Sequence, residues 1–110
     1  MHINKAMQHH YRAKLIRCVD GDTFDAEVDL GFNTFARIRF RLLDIDTPER
    51  GQPGFHEATR ELNQLIRAVQ SDNDGWFVIE SHKTGKYGRW LARLPGVSIP
   101  LAAWLKNQGW

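Results

Sequence analysis

Three carboxylates stand close together in the segment RLLDIDTPER, residues 41–50. They belong to Asp44, Asp46 and Glu49. Carboxylates this near to one another repel, so such a cluster usually includes a bound cation or an arginine partner. Oxygen ligands with no neighbouring set of cysteine and histidine favour Ca²⁺ or Mg²⁺ over zinc. The segment is therefore either a charged surface turn or a site that holds a hard cation against a phosphate.

A second acidic motif, DGD at residues 20–22, bears on this choice. On its own the motif is more typical of a simple turn. However, Asp22, Asp46 and Glu49 come from two turns that we predict at the same end of adjoining strands, where folding can bring them together. Two aspartates do not fill a calcium shell, so water, a backbone carbonyl and a substrate phosphate would complete it. This arrangement suits phosphate chemistry.

A basic loop, GKYGRW at residues 85–90, adds Lys86, Tyr87 and Arg89. A guanidinium group can clamp a phosphate through two parallel hydrogen bonds. Taken alone, the loop is equally compatible with the basic tip of an ordinary hairpin.

The segments VDGDTF, RLLDIDTPE and GKYGRWLA follow one another in an order and spacing that resembles the three signature segments of the staphylococcal nuclease (thermonuclease-like) family. The resemblance extends from about Tyr11 to the end of the chain. It implies an OB-type barrel with helices and a calcium-dependent phosphodiesterase that cleaves DNA and RNA. It also implies that the leaving group is a 5′ oxygen, so that the products carry 3′-phosphates.

The resemblance also implies a role for each matching residue of the acidic segments. Asp22 and Asp46 would bind calcium directly, and Thr47 would contribute its backbone carbonyl. Asp20 would lie behind them as an outer-shell group. Glu49 matches the general base that takes a proton from the attacking water.

Four basic or aromatic residues match the substrate contacts of the family. Arg41 and Arg89 match the pair that grips the phosphate and stabilises charge on its oxygens. Lys86 and Tyr87 match residues that contact the terminal phosphate of the nucleotide. One position departs from the family pattern, because Gly85 stands where an aspartate usually precedes KYGR. The alternative function is a catalytically inactive module on the same fold that binds nucleic acid or protein.

Strand patterns surround the first two motifs. Lys14–Val19 reads as a strand, and Asp20-Gly21 predicts a tight hairpin turn. Polar and apolar residues then alternate from Thr23 to Leu30, as in a strand with one buried face. A third strand follows, with apolar residues at positions 38, 40 and 42. The alternation shifts by one residue after position 42, which indicates a bulge that would bring the side chains at 41, 44 and 46 to one face.

The second half of the chain predicts a helix and further strands. Apolar residues at helical spacing lie between Ala58 and Val69, and the residues 71–75 end this helix. Two strands follow at Trp76–Ser81 and Trp90–Leu94, and Pro100 begins a short helix. We therefore predict a β-barrel with helices (α+β), in which five strands form a strongly curved, closed sheet. An open α+β sandwich is the alternative. The tryptophans are interpreted as core residues, with Trp90 also a candidate for base stacking.

Composition sets the remaining expectations. The 110 residues predict a single domain at 11–110 behind a flexible tail at 1–10. A net charge of +2 is a mild bias towards polyanions, and we expect DNA and/or RNA as partners of a monomer. With Cys18 as the sole cysteine, the fold holds by packing. We see no signal peptide and no membrane span, so we expect a cytoplasmic protein, although secretion of a longer precursor stays open.

Overall fold

The computed structural model describes residues 9–43, 47–48, 50–84 and 90–96. In this part of the chain the elements are β1 (His10–Asp20), β2 (Thr23–Asp29), β3 (Phe35–Leu42), α1 (Phe55–Asp72), β4 (Phe77–Thr84) and β5 (Trp90–Arg93). The strands form a closed barrel in the order β1-β2-β3-β5-β4. Only β3 and β5 pair in parallel among these neighbours. The prediction of a closed five-stranded barrel is confirmed, and the open sandwich is excluded.

The strands β2 and β3 follow the alternation that the sequence predicts. In β2 the side chains of Phe24, Ala26 and Val28 are buried, whereas Glu27 is exposed. The two strands pair without a register shift along the whole of β2. Because side chains alternate between the two faces of a strand, this register fixes which residues of β3 point outward.

The first strand is longer than predicted. It begins at His10, inside the segment predicted as a flexible tail, because residues 10–13 pair with residues 77–80 of β4. The backbone N–H of Ser81 also donates to the carbonyl of His9 at 2.8 Å. This pairing joins residues far apart in sequence, so no local pattern reveals it.

The irregular pairing of the barrel lies mainly in β1. Its register with β2 shifts between Leu15 and Arg17 and again between Cys18 and Asp20. Such bulges bend a strand and increase its twist, which helps a short sheet to close. The bulge predicted after Leu42 falls on residues 44–46, outside the described residues, as does the helix predicted at Pro100.

Phenylalanines fill the barrel. Phe24 stacks on Phe40 with ring centroids 5.5 Å apart, and Phe77 meets the edge of Phe24 at 5.9 Å. Helix α1 adds the buried side chains Ala58, Leu62 and Ile66. This apolar face matches the helical pattern seen in the sequence.

The two described tryptophans are not core residues, so that interpretation was wrong for them. Trp76 is half-buried under the guanidinium of Arg12 at 4.2 Å and the ammonium of Lys14 at 4.5 Å. The side chain of Trp90 is exposed. Among the described helices, none combines the length and hydropathy needed to cross a membrane.

The turn between β1 and β2 packs tightly against two other segments. A Cβ atom on Gly21 would lie 2.7 Å from the Cβ of Ala58 and 2.9 Å from both Cβ and Cγ2 of Thr47. The backbone of Gly21 does not need the left-handed region. This glycine is therefore required for close approach, and it lets the turn, the start of α1 and the segment around Thr47 meet at one end of the barrel.

Replacing Gly21 with alanine should lower the free energy of unfolding by about 1–3 kcal/mol, because the added methyl group forces two packed neighbours apart. Urea denaturation measures this difference. Gly96→Ala is the matched control, since no described atom lies within 4 Å of its Cβ position and its φ is not positive. Equal stability of Gly21→Ala and the unsubstituted protein would show that the close approach is not needed.

Candidate functional site

Asp22 is held at the end of the barrel by its backbone. Its N–H donates to Oδ1 of Asp20 at 3.0 Å, and its carbonyl accepts a hydrogen bond from the N–H of Leu42 at 2.7 Å. The first contact closes the acidic turn, and the second ties this turn to the end of β3. The motif DGD thus forms the tight two-residue turn expected of it and also presents a carboxylate beside β3.

The carboxylate of Asp22 contacts two polar side chains. The hydroxyl of Thr23 donates to Oδ1 at 3.1 Å, and Nη2 of Arg41 lies 3.4 Å from Oδ2. Thr23 and Arg41 are directly opposite each other on β2 and β3. Two of the residues predicted for the site, Asp22 and Arg41, are therefore brought together by regular strand pairing.

Burial raises the pKa of the Asp22 carboxyl from 3.8 to about 7. The residue is only 8% exposed, so its charged form loses most of its hydration. The nearby Asp20 carboxyl raises the pKa further, whereas Arg41 and Thr23 oppose this shift. At this carboxyl, desolvation and the neighbouring Asp20 therefore outweigh the contacts with Arg41 and Thr23.

Arg41 is fixed by contacts on both sides of its guanidinium. Nη1 donates to the carbonyl of Leu42 at 3.0 Å, while Nη2 approaches Asp22. The side chain is half-buried at the end of β3. A planar group held in this way has a defined orientation before any ligand arrives.

Thr47 contributes a feature that the sequence did not indicate. Its hydroxyl Oγ1 is buried and has no hydrogen-bond partner within the part of the chain that the structure describes. A buried hydroxyl without a partner is costly, and such groups often face a ligand, an ion or a water. The prediction assigned the backbone carbonyl of Thr47 to calcium, and this role stays a prediction.

Five predicted site residues lie outside the described residues: Asp46, Glu49, Lys86, Tyr87 and Arg89. Their chain neighbours Thr47 and Trp90 are described. Thr47 lies against Gly21, and Trp90 begins β5, where the next residue pairs with Arg41.

The described part of the site fits a hard cation in the type of its donors. Asp20 and Asp22 supply carboxylate oxygens at one turn, and Thr47 supplies a buried hydroxyl without a partner. No group of three or more acidic, histidine or cysteine side chains that could hold a metal ion occurs among the described residues. A complete coordination shell would therefore need ligands in addition to the described residues.

A second candidate location is the mouth of the barrel away from the Gly21 turn. An open groove of about 590 Å³ is lined there mostly by apolar and aromatic side chains, among them Tyr11, Ile38, Phe40 and Trp90. His9 and His82 also line it, but no carboxylate does. Because the groove is lined by no carboxylate, we place the candidate site at Asp22 and Arg41.

Over 94 residues the chain is 32% identical to Protein ParB of Escherichia coli, and the aligned part is 84% of this chain and 45% of that protein. The chain thus spans less than half the length of this relative. No protein-family model matches the chain.

The raised pKa of Asp22 predicts how the stability of the metal-free protein depends on pH. Near pH 4 the carboxyl is largely protonated in the folded chain. Between pH 4 and 7 the unfolded chain loses this proton while the folded chain keeps it, so stability falls as pH rises. The loss is complete about one pH unit above the pKa of the folded chain. In chelator, Asp22→Asn should therefore be more stable than the unsubstituted protein near pH 8, by roughly 1–4 kcal/mol.

Urea denaturation measures this change in stability. Asp25→Asn is the control variant, and its stability should change in the opposite direction. A hydrogen bond from Arg39 lowers the pKa of Asp25, so this carboxylate stabilises the fold at pH values above its unfolded pKa. Asp25→Asn should be less stable than the unsubstituted protein at neutral pH. If Asp22→Asn also loses stability near pH 8, the Asp22 carboxylate is a structural ion-pair partner.

Proposed function

We propose that the protein is a calcium-dependent nuclease of the staphylococcal nuclease type that hydrolyses phosphodiester bonds in DNA and/or RNA. The observation that carries the proposal is the contact between Asp22 and Arg41. These residues come from two separate motifs of the resemblance, and they meet in a buried, acidic setting. A stability role alone does not explain a carboxylate whose pKa is raised to about 7.

The acidic residues would hold the metal. Asp22 and Asp46 would bind calcium with Thr47, and Asp20 would support them from behind. Thr47 follows Asp46 directly in sequence and lies against the Gly21 turn. When bound, calcium would make the attacking water more acidic and draw charge from the phosphate oxygens.

The remaining residues would act on water and phosphate. Glu49 would take a proton from the attacking water. Arg41 and Arg89 would hold the phosphate and stabilise the extra negative charge that forms as water attacks. Lys86 and Tyr87 would bind the terminal phosphate of the nucleotide. Arg41 is suited to this task because the Leu42 carbonyl and the Asp22 carboxylate hold its guanidinium in a fixed orientation.

The protein should cleave single-stranded DNA in calcium and not in chelator. Glu49→Gln should reduce this activity by at least about 100-fold, because the amide cannot accept the proton of the attacking water. Release of acid-soluble nucleotides measures cleavage, and the melting temperature checks the fold. Binding of DNA without any turnover in calcium would favour the alternative, a catalytically inactive binding module.

Arg41→Lys should lower the cleavage rate by about 100-fold, since lysine keeps the charge but lacks the planar fork that bonds two phosphate oxygens. Arg60→Lys is the matched control, because Arg60 is exposed on helix α1. Both variants should remain folded. Full activity of Arg41→Lys would remove Arg41 from the phosphate site.

A further inference from the structure

The outer face of β3 carries a row of basic side chains. Arg37, Arg39 and Arg41, here called the arginine row, occupy every second position and therefore lie on one side of the strand. Neighbouring members are about 7 Å apart along the strand. Successive phosphates of an extended nucleic-acid strand have a similar separation. The row begins at the candidate site, because Arg41 contacts Asp22.

The surrounding outer face keeps an excess of positive charge. On β1, β2 and β3 it carries six basic and four acidic side chains: Arg12, Lys14, Arg17, Arg37, Arg39 and Arg41 against Asp20, Asp25, Glu27 and Asp29. Two of the acidic groups are already paired. Asp29 accepts from Arg12 at 2.8 Å, and Asp25 accepts from Arg39 at 2.7 Å and from Arg17 at 3.3 Å. The face therefore favours a polyanion.

Arg37 has no ion pair with any described residue, although Glu27 lies opposite it on β2. Its side chain is exposed. Arg37 is thus the member of the row that has the least structural role. Its charge is available to a ligand without the loss of a contact that supports the barrel.

Exposed aromatic residues lie at the far end of the row. Phe35 is half-exposed on the outer face, and Phe32 is fully exposed at the tip of the β2–β3 hairpin. Phe32 also adopts a left-handed backbone conformation with φ 54°, as does Asn33 with φ 57°. A bulky residue in this conformation is uncommon and strained. Among described residues, Phe32 gains no burial in return, which points to a role outside the fold.

We propose that the arginine row, together with Phe35 and Phe32, binds a single strand of DNA or RNA that extends beyond the cleavage site. The arginines would contact successive phosphates, and the two phenylalanines would stack on unpaired bases. Bases in a duplex are already stacked and paired, so a single strand fits these residues better. This inference rests on the proposed function, because it takes Arg41 as the point where the strand enters the site.

The length of this surface determines which oligonucleotides can test the inference. From Arg41 to Phe35 the strand spans roughly 20 Å. An oligothymidylate of about ten nucleotides would cover this distance, whereas one of about three nucleotides would fill little more than the site itself. Fluorescence anisotropy in chelator measures the binding of both without cleavage.

Arg37→Gln should weaken binding of the longer oligonucleotide by at least about threefold at low salt and leave the shorter one unchanged. The slope of log K against log salt concentration should fall by about 0.7, the value for one phosphate contact to a single strand. Arg60→Gln is the matched control, because it removes the same charge from the exposed surface of α1. It should leave the slope unchanged.

Phe32→Ala should weaken binding of the longer oligonucleotide by about fivefold or more and leave the salt slope unchanged, because it removes stacking without removing charge. Val78→Ala, which truncates an exposed apolar residue on β4, should have no effect. Both variants should have the same melting temperature as the unsubstituted protein, since neither side chain is buried.

The outcomes separate this inference from the proposed nuclease activity. Calcium-dependent cleavage together with unchanged binding by Arg37→Gln and Phe32→Ala would overturn the inference and leave the nuclease standing. Binding that depends on both residues, without cleavage, would support the inference and overturn the nuclease. A third outcome is that the protein forms a dimer, that Phe32→Ala abolishes this dimer, and that oligonucleotide binding is unchanged. This outcome would show that the hairpin tip contacts a second copy of the chain, and it would also overturn the inference.

Discussion

The close approach of the Gly21 turn to two neighbouring segments is the constraint on which the site depends. With no Cβ at this position, the turn can contact Ala58 at the start of α1 and Thr47 after β3. A side chain there would push at least one of them away. The same turn carries Asp22, whose carbonyl is bonded to the end of β3. Packing of backbone against side chain therefore positions a carboxylate beside Arg41.

This packing has an energetic consequence for Asp22. Bringing three segments together removes water from its carboxylate, and the nearby Asp20 adds repulsion, so the charged form becomes unfavourable. Arg41 and the Thr23 hydroxyl offset only part of this effect. Functional sites commonly hold such unfavourable groups, which a ligand later stabilises. The buried hydroxyl of Thr47, with no partner among the described residues, is a second group of this kind.

Local patterns were enough to predict most of the barrel. Alternation defined β2 and β3, helical spacing defined α1, and the Asp20-Gly21 pair predicted the tight turn between β1 and β2. Contacts between distant segments were not visible in this way. The pairing of residues 10–13 with β4 and the two shifts in β1 depend on how the sheet closes.

The surroundings of three residues could also not be predicted from local patterns. Tryptophan is bulky and apolar, which predicts burial, yet Trp76 lies under two cations and Trp90 borders an open groove. The glycine of the DGD motif lies in the turn predicted for it, but its close contacts with Ala58 and Thr47 were not predicted. Neither the cations over Trp76 nor the neighbours of Gly21 can be read from adjacent residues.

The register of β3 connects the core with the basic outer face. Phe40 and Leu42 are buried in the barrel, so the residues between and before them must point outward. A shift of one residue would bury arginines and expose the phenylalanine. The free energy that holds Phe40 against Phe24 therefore also fixes the positions of Arg39 and Arg41. Apolar packing on one side of a single strand thus orients the guanidinium groups on the other, without the need for a separate scaffold.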